Sequence, residues 1–190
     1  MKNSTKFIGV IFGILLLSSI LALSGAFNYS SNDATNSDAS IKYNSNVCSY
    51  ITRTDGTIED NGCSHNLLTN FGKNMIRASL TSANGVAVSY IGLCNATAGC
   101  NATNVADGGL YNEFTNSGLN RTNEATLLNL GTGNWSYSRT FVASADNLVT
   151  NKTGIFNASS GDTMLAENTF TTSTLQTNDQ ITINWSIWVD

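Results

Sequence analysis

The C-terminal stretch QITINWSIWVD places Ile181, Ile183, Trp185, Ile187 and Val189 at every second position. A period of two marks a strand with one buried face, because successive side chains point to opposite sides of a sheet. The same alternation runs from Asn134 to Ser144. There Trp135, Tyr137, Phe141 and Ala143 fall on one side, and Asn134, Ser136, Ser138 and Thr140 on the other. Thr153–Ala158 and Thr163–Thr171 flank Ser159-Ser160-Gly161-Asp162 as a hairpin, and Gln176–Asp179 supplies the last turn. Val86–Cys94 is apolar on both parities and reads as a fully buried strand. Between these, residues 95–132 carry Gly and Asn with one helical turn near Leu110–Phe114.

One segment has the other period. From Asn66 to Ala83, Leu68, Phe71, Met75, Ile76 and Leu80 recur at helical spacing, with Thr69 as the cap and Asn84-Gly85 as the stop. The expected fold is therefore mainly β: an antiparallel β-sandwich, Ig-like or jelly-roll-like, with one α-helix near 68–82.

The N-terminus is different in kind. Lys2 and Lys6 precede an apolar run, Phe7–Leu23, that ends in Ser24-Gly25-Ala26. A basic start, an apolar stretch and a small-residue cleavage site describe a signal peptide over residues 1–26. The rival reading is a retained anchor, since the run is long enough to span a bilayer; membrane contact then goes only through residues 7–26. Both readings export the rest of the chain. Residues 27–47 are polar and rich in Ser and Asn, with a short strand near Ile41–Tyr43. Two roles suit such a tail. It is a donor strand that carries Ile41 and Tyr43 to a neighbouring copy, or it is a disordered, glycosylated stalk. The sandwich domain then covers 48–190.

Cysteine placement agrees with export. Asp55-Gly56 has the composition of a two-residue hairpin turn, where positive φ is needed at both positions. If Thr54 faces Thr57, Cys48 lands opposite Cys63, at a hydrogen-bonded pair with Cα atoms about 5.5 Å apart, or at the closer non-hydrogen-bonded kind where a bulge intervenes. Cys94 and Cys100 then close a small loop. A metal site is disfavoured, because the spacings are not paired C-x-x-C and His65 is the single imidazole. Two disulfides fit an oxidising compartment.

Acceptor sequons for N-glycosylation lie at Asn28, Asn95, Asn101, Asn120, Asn134, Asn151, Asn157 and Asn184. The strand alternation turns Asn134 and Asn184 away from the apolar rows, where a glycan has room.

Only 12% of residues are charged, the net charge is −4, and no run of Lys or Arg occurs. That excludes a nucleic-acid partner, which requires a basic footprint. Catalytic signals are lacking too. His65 is the one classical base, and no G-x-S-x-G elbow accompanies it. Asp55, Glu59, Asp60 and Asn61 cluster on the first hairpin without the spacing of a calcium loop. No phosphate-cradling glycine loop is present, and no cofactor is expected. Trp188, on the polar parity of the last strand, is the one aromatic placed for a glycan or interface contact.

From Asn66 onward, the order NLLTNFGKN, SYIGLC, GLYNEF with SGLNR, TGIFNASSGDTMLAENTF and TNDQITINWSIWV resembles phage and prophage tail- or head-fibre proteins. The export signal, disulfides and sequons depart from an intracellularly assembled virion part. With its low charge and abundant Asn and Thr, the chain is similar in these respects to archaeal thread-like filament subunits. The resemblance implies an assembling sandwich with no catalytic site, and leads to two expectations. One is a secreted, glycosylated subunit of a surface appendage that self-assembles through its N-terminal segment. The alternative is a virion or surface fibre domain that adheres to glycans or a host surface.

Overall fold

The alternating C-terminal stretch forms β9 (Gln180–Val189), the centre of a five-stranded antiparallel sheet. On one side it pairs with β1 (Tyr43–Thr52), which pairs in turn with β2 (Ile58–His65). On the other it pairs with β6 (Asn134–Val142), flanked by β5 (Thr126–Gly131). A second antiparallel sheet holds four strands in the order β3 (Leu67–Leu68), β8 (Met164–Leu175), β7 (Leu148–Phe156) and β4 (Tyr90–Leu93). Helix α1 (Asn70–Thr81) follows β3. These elements come from a computed structural model that describes residues 42–81, 87–123, 126–161 and 163–190. The expected signal sequence, the tail up to Ile41, Asn28 and the helix stop at Asn84-Gly85 lie outside the described residues.

Ile181, Ile183, Trp185 and Ile187 are fully buried. They meet Val47, Ile51 and Phe141 from their own sheet and Ile91, Leu93, Ile155, Leu165 and Leu175 from the other. Burial of these aliphatic and aromatic side chains, at roughly 1.5–3 kcal/mol each, is what holds the two sheets face to face. A smaller cluster of Cys94, Leu110, Phe156 and Met164 sits apart from this core.

Five expectations need correction. Residues 43–47 belong to the sandwich and not to a tail: Tyr43 faces Val189 and the pairing with β9 continues unbroken to Thr52. The strand was hidden because two of its inward positions, Ser45 and Ser49, are small and polar although both are buried. Secondly, the first hairpin closes with three loop residues. The Arg53 amide donates to Thr57 O, and Gly56 takes φ +86°. That shifts partners near the turn by one, as in Tyr50 facing Asp60. A bulge at Asn61-Gly62, with Gly62 at φ +79°, shifts them back, so Cys48 does face Cys63. Their Cα atoms are 4.1 Å apart, the closer kind of pair that an intervening bulge allows.

Thirdly, α1 buries less than its stripe suggests. Thr69 does cap it, its Oγ1 accepting from the Gly72 amide at 2.9 Å. Leu80 and Phe71 are exposed, however, because the helix rests on β8 through Gly72 and Met75. A Cβ at Gly72 would come within 2.0 Å of Leu165 O, so only glycine allows this approach. Fourthly, of the described residues 87–94 only Tyr90–Leu93 form the strand after the helix. Lastly, Leu110–Phe114 is not helical; Glu113 forms an isolated bridge with Cys94.

Candidate functional site

The two edges of the larger sheet differ sharply. The β2 edge is closed. Glu59 pairs with Arg53 at 2.7 Å, Asp60 Oδ1 accepts from the Gly62 amide at 2.8 Å, and the Cys48–Cys63 bridge ties β2 to β1. Side chains also stitch β2 across to β8. Asn61 Nδ2 donates to Ser173 Oγ at 2.9 Å, and Asn168 Nδ2 donates to Ser64 O at 2.9 Å. Charge, a bulge and a cover are the usual means by which an edge is protected from further pairing.

The β5 edge has neither charge nor, among the described residues, a cover, and its one register shift lies at the Asn129–Gly131 end. Its sequence TLLNLG carries no charge, and all six residues are exposed. Leu127, Leu128 and Leu130 are each about half exposed or more. One side of β5 pairs with β6, and among the described residues no strand lies on the other. Leu127 faces Tyr137 and Asn129 faces Trp135, so these four share the inner face of the sheet. The inner face opens here into an apolar groove of about 500 Å³, lined by Trp135, Tyr137, Ile187, Ile76, Leu80 and Val88 among others. An adjoining opening of about 420 Å³ shares Trp135 and Tyr137 and reaches Leu127. Tyr43 also lines the groove; its burial pushes the phenol pKa up, against hydrogen bonds with Ser45 and Asn66. Sequence reading placed β5 in a loop. Its leucines show no alternation because neither of its faces is covered, so no periodic signal was present to find.

The disulfides are Cys48–Cys63 and Cys94–Cys100, with no free cysteine. Two such bridges fit an oxidising, extracellular environment. Among the described residues, no helix is long and apolar enough to cross a membrane.

The sequon asparagines scatter over the surface and do not gather into one patch. Asn134 and Asn184 lie on the outer face of the larger sheet, Asn134 facing Trp188 and Asn184 facing Cys48. Asn95, Asn120, Asn151 and Asn157 are half-buried, and the Asn95 side chain caps the 3-10 turn Ala96–Ala98. Asn101 is exposed, yet both ends of its amide are hydrogen-bonded. His65 is exposed at the end of β2, paired through its backbone with Asn46. The carboxylates of the first hairpin are taken up locally: Asp55 Oδ1 accepts from the Thr57 amide at 2.8 Å, which helps hold its pKa low. No group of three His, Cys, Asp or Glu is placed to hold a metal ion among the described residues.

Two buried charge clusters escaped sequence reading, because nothing in a sequence distinguishes a buried Lys from a surface one. Arg121 forms a forked pair with Glu113, donates to Ala158 O and Gly161 O, and stacks on Phe156 at 3.4 Å. The GLYNEF and SGLNR motifs thus meet as a clamp that fastens residues 110–123 to the β7–β8 hairpin. The other cluster joins Lys152 and Glu167, both fully buried, to Asp107 and Asn101.

No family model, curated protein or solved structure matches this chain.

Proposed function

We propose that this protein is an exported, glycosylated, non-catalytic subunit of a cell-surface appendage, assembled by strand addition. In this reading, the segment ahead of β1 of one copy lays a strand along β5 of the next. An added strand satisfies the open row of backbone donors and acceptors, and its alternate side chains fill the neighbouring apolar groove. The observation that carries the reading is the uncharged β5 edge with three exposed leucines, beside an opposite edge that is closed. An uncharged, apolar edge left bare is an association site by its physics. The chain also supplies an occupant, since residues 27–41 precede β1 in the sequence. Deleting residues 27–41 is expected to leave a secreted monomer with both disulfides intact. If the truncated chain forms the same oligomers as the full one, the donor role of the segment is wrong.

A second reading rests on the outer face of the larger sheet. Trp188 lies between Asn44 and Asn134 in one row across β1, β9 and β6. An aromatic ring flanked by amides suits the face of a sugar. Binding of the protein to a glycan array, lost in Trp188→Ala, is the outcome this adhesion reading predicts.

A further inference from the structure

Lys152 lies on β7 and Glu167 on β8, diagonal neighbours on the sheet face that turns away from the main core. Residues 94–110 cover this face, and both side chains are fully buried beneath them. The cover is pinned in two ways close to Lys152. The Cys94 amide donates to Lys152 O at 3.0 Å, and the Cys94–Cys100 bridge ends one residue before Asn101. As a result the amide of Asn101 is brought onto the lysine: Nζ donates to Asn101 Oδ1 at 2.9 Å. Nζ also lies 2.7 Å from Glu167 Oε2, off the hydrogen-bond direction, 3.5 Å from Asp107 Oδ2, and 3.4 Å from Ala102 O. Asn101 Nδ2 donates to Asp107 Oδ2 at 2.8 Å, which fixes the amide with its carbonyl towards the lysine. Glu167 Oε1 accepts from the Asn104 amide.

An amine and a carboxyl group are thus held out of water, with the carboxamide of the exposed Asn101 pinned against the amine. We infer that Lys152 and Asn101 join in an intramolecular isopeptide bond, with Glu167 as the proton carrier. Proton transfer from the lysine ammonium to Glu167 leaves a neutral amine beside a neutral acid. Nζ then attacks Cγ of Asn101, one bond beyond the oxygen it now touches. The new Nζ–Cγ bond forms, the Cγ–Nδ2 bond breaks, and Nδ2 leaves as ammonia after taking a proton from Glu167. Glu167 recovers a proton from Nζ, which returns it to the neutral acid, and becomes the carboxylate again when the departing ammonia takes that proton away as ammonium. Nothing is oxidised or reduced, and no co-reactant is required.

The surroundings favour this course. Removing two ions from water is costly, so a buried ammonium–carboxylate pair is drawn towards its neutral form. Burial pushes the Glu167 carboxyl above its usual range, against the opposing pull of Lys152 and the Asn104 amide. Holding the reactants in place replaces a bimolecular encounter, an effect equivalent to very high local concentration. Asp107 is the less suitable carbonyl: it stands further off, and its Oδ2 is occupied by the Asn101 amide. The bond would fasten the 94–110 cover to β7 by a link that reduction cannot open. It also excludes a glycan at Asn101, because both modifications use the same amide.

Intact mass and peptide mapping of the purified full chain test this directly. The expected mass is lower by one ammonia than the sequence requires for the same disulfide and glycan state, and digestion yields a branched peptide joining Asn101 to Lys152. Glu167→Gln should retain the ammonia. Should that variant not fold, Glu167→Asp, with its acid drawn back by one carbon, should lose ammonia more slowly. A full mass with two separate peptides, or a glycan at Asn101 in the main fraction, overturns the bond. Loss of one water with a branch at Asp107 overturns the choice of Asn101, and ammonia loss at the unaltered rate in Glu167→Gln removes Glu167 from the reaction.

Discussion

The two edges of the five-stranded sheet are built from opposite materials. Along β2 the chain places Glu59, Asp60, a bulge at Gly62 and a disulfide, and links the strand to β8 through Asn61 and Asn168. Along β5 it places three exposed leucines and no charge. Among the described residues neither strand has a second backbone partner, so pairing need alone does not account for the contrast. What differs is whether the sequence prevents another strand from joining. One edge is protected, and in the proposed assembly the other is the template.

The strongest way to break the comparison is to open the closed edge. Replacing Cys48 and Cys63 together by Ser removes a bridge with a sequence separation of 15. The loss should be about 3 kcal/mol by loop entropy, read as a lower urea midpoint. β2 should also begin to exchange its amides early, ahead of β9.

A somewhat smaller effect is expected at Asp179, which joins the first hairpin to the β8–β9 turn. Its carboxylate accepts from Arg53 Nη1 at 2.7 Å, the Gln176 amide at 2.9 Å and the Thr54 amide at 3.3 Å. Burial alone would raise its pKa, but these donors and the Arg53 charge hold it below the usual carboxylate range. A depressed folded pKa stabilises above the unfolded value, and that contribution is lost as pH falls through the folded one. Asp179→Ala should therefore cost about 2 kcal/mol at neutral pH. Asp179→Asn should flatten the decline in stability on acidification below the usual carboxylate range, followed by thermal melts across that window.

Gly62→Ala sharpens the comparison at lower cost. The new Cβ meets open space, so the penalty is that of a positive φ alone, about 1 kcal/mol. The Cys48–Cys63 bridge should still form in this variant, as shown by non-reducing peptide mapping.

Smallest in stability, and most telling for function, is Leu128→Lys on β5. An exposed position should change monomer stability by no more than about 0.5 kcal/mol. The charge nevertheless gives β5 the protection that β2 already has, so oligomers seen by light scattering should disappear.

Much of the frame was legible because alternation reports a buried face. The stretches around Trp135 and Trp185 became β6 and β9, and Ser159–Gly161 fall in the turn between β7 and β8. The Cys48–Cys63 pairing was legible for a less secure reason: a one-residue shift at the Asp55-Gly56 loop is undone by the Gly62 bulge, so the inferred partner survives an altered register. The first half of β1 was not legible, since Ser45 and Ser49 fill inward positions with side chains that read as surface. The candidate site was the least legible part. Leu127, Leu128 and Leu130 lie beside one another with neither face buried, and Lys152 and Glu167 are ordinary charges in the sequence. Only the folded chain shows that the leucines are bare and the charges hidden.

Hydrogen–deuterium exchange, compared between the monomer and its assembled form, tests the central claim at both edges in one measurement. The account predicts that alternate amides of β5, Thr126–Gly131, become slow on assembly, while those of β2, Ile58–His65, keep their monomer rates. Slowing along β2 with β5 unchanged, or assembly that leaves β5 exchanging as fast as before, would contradict it.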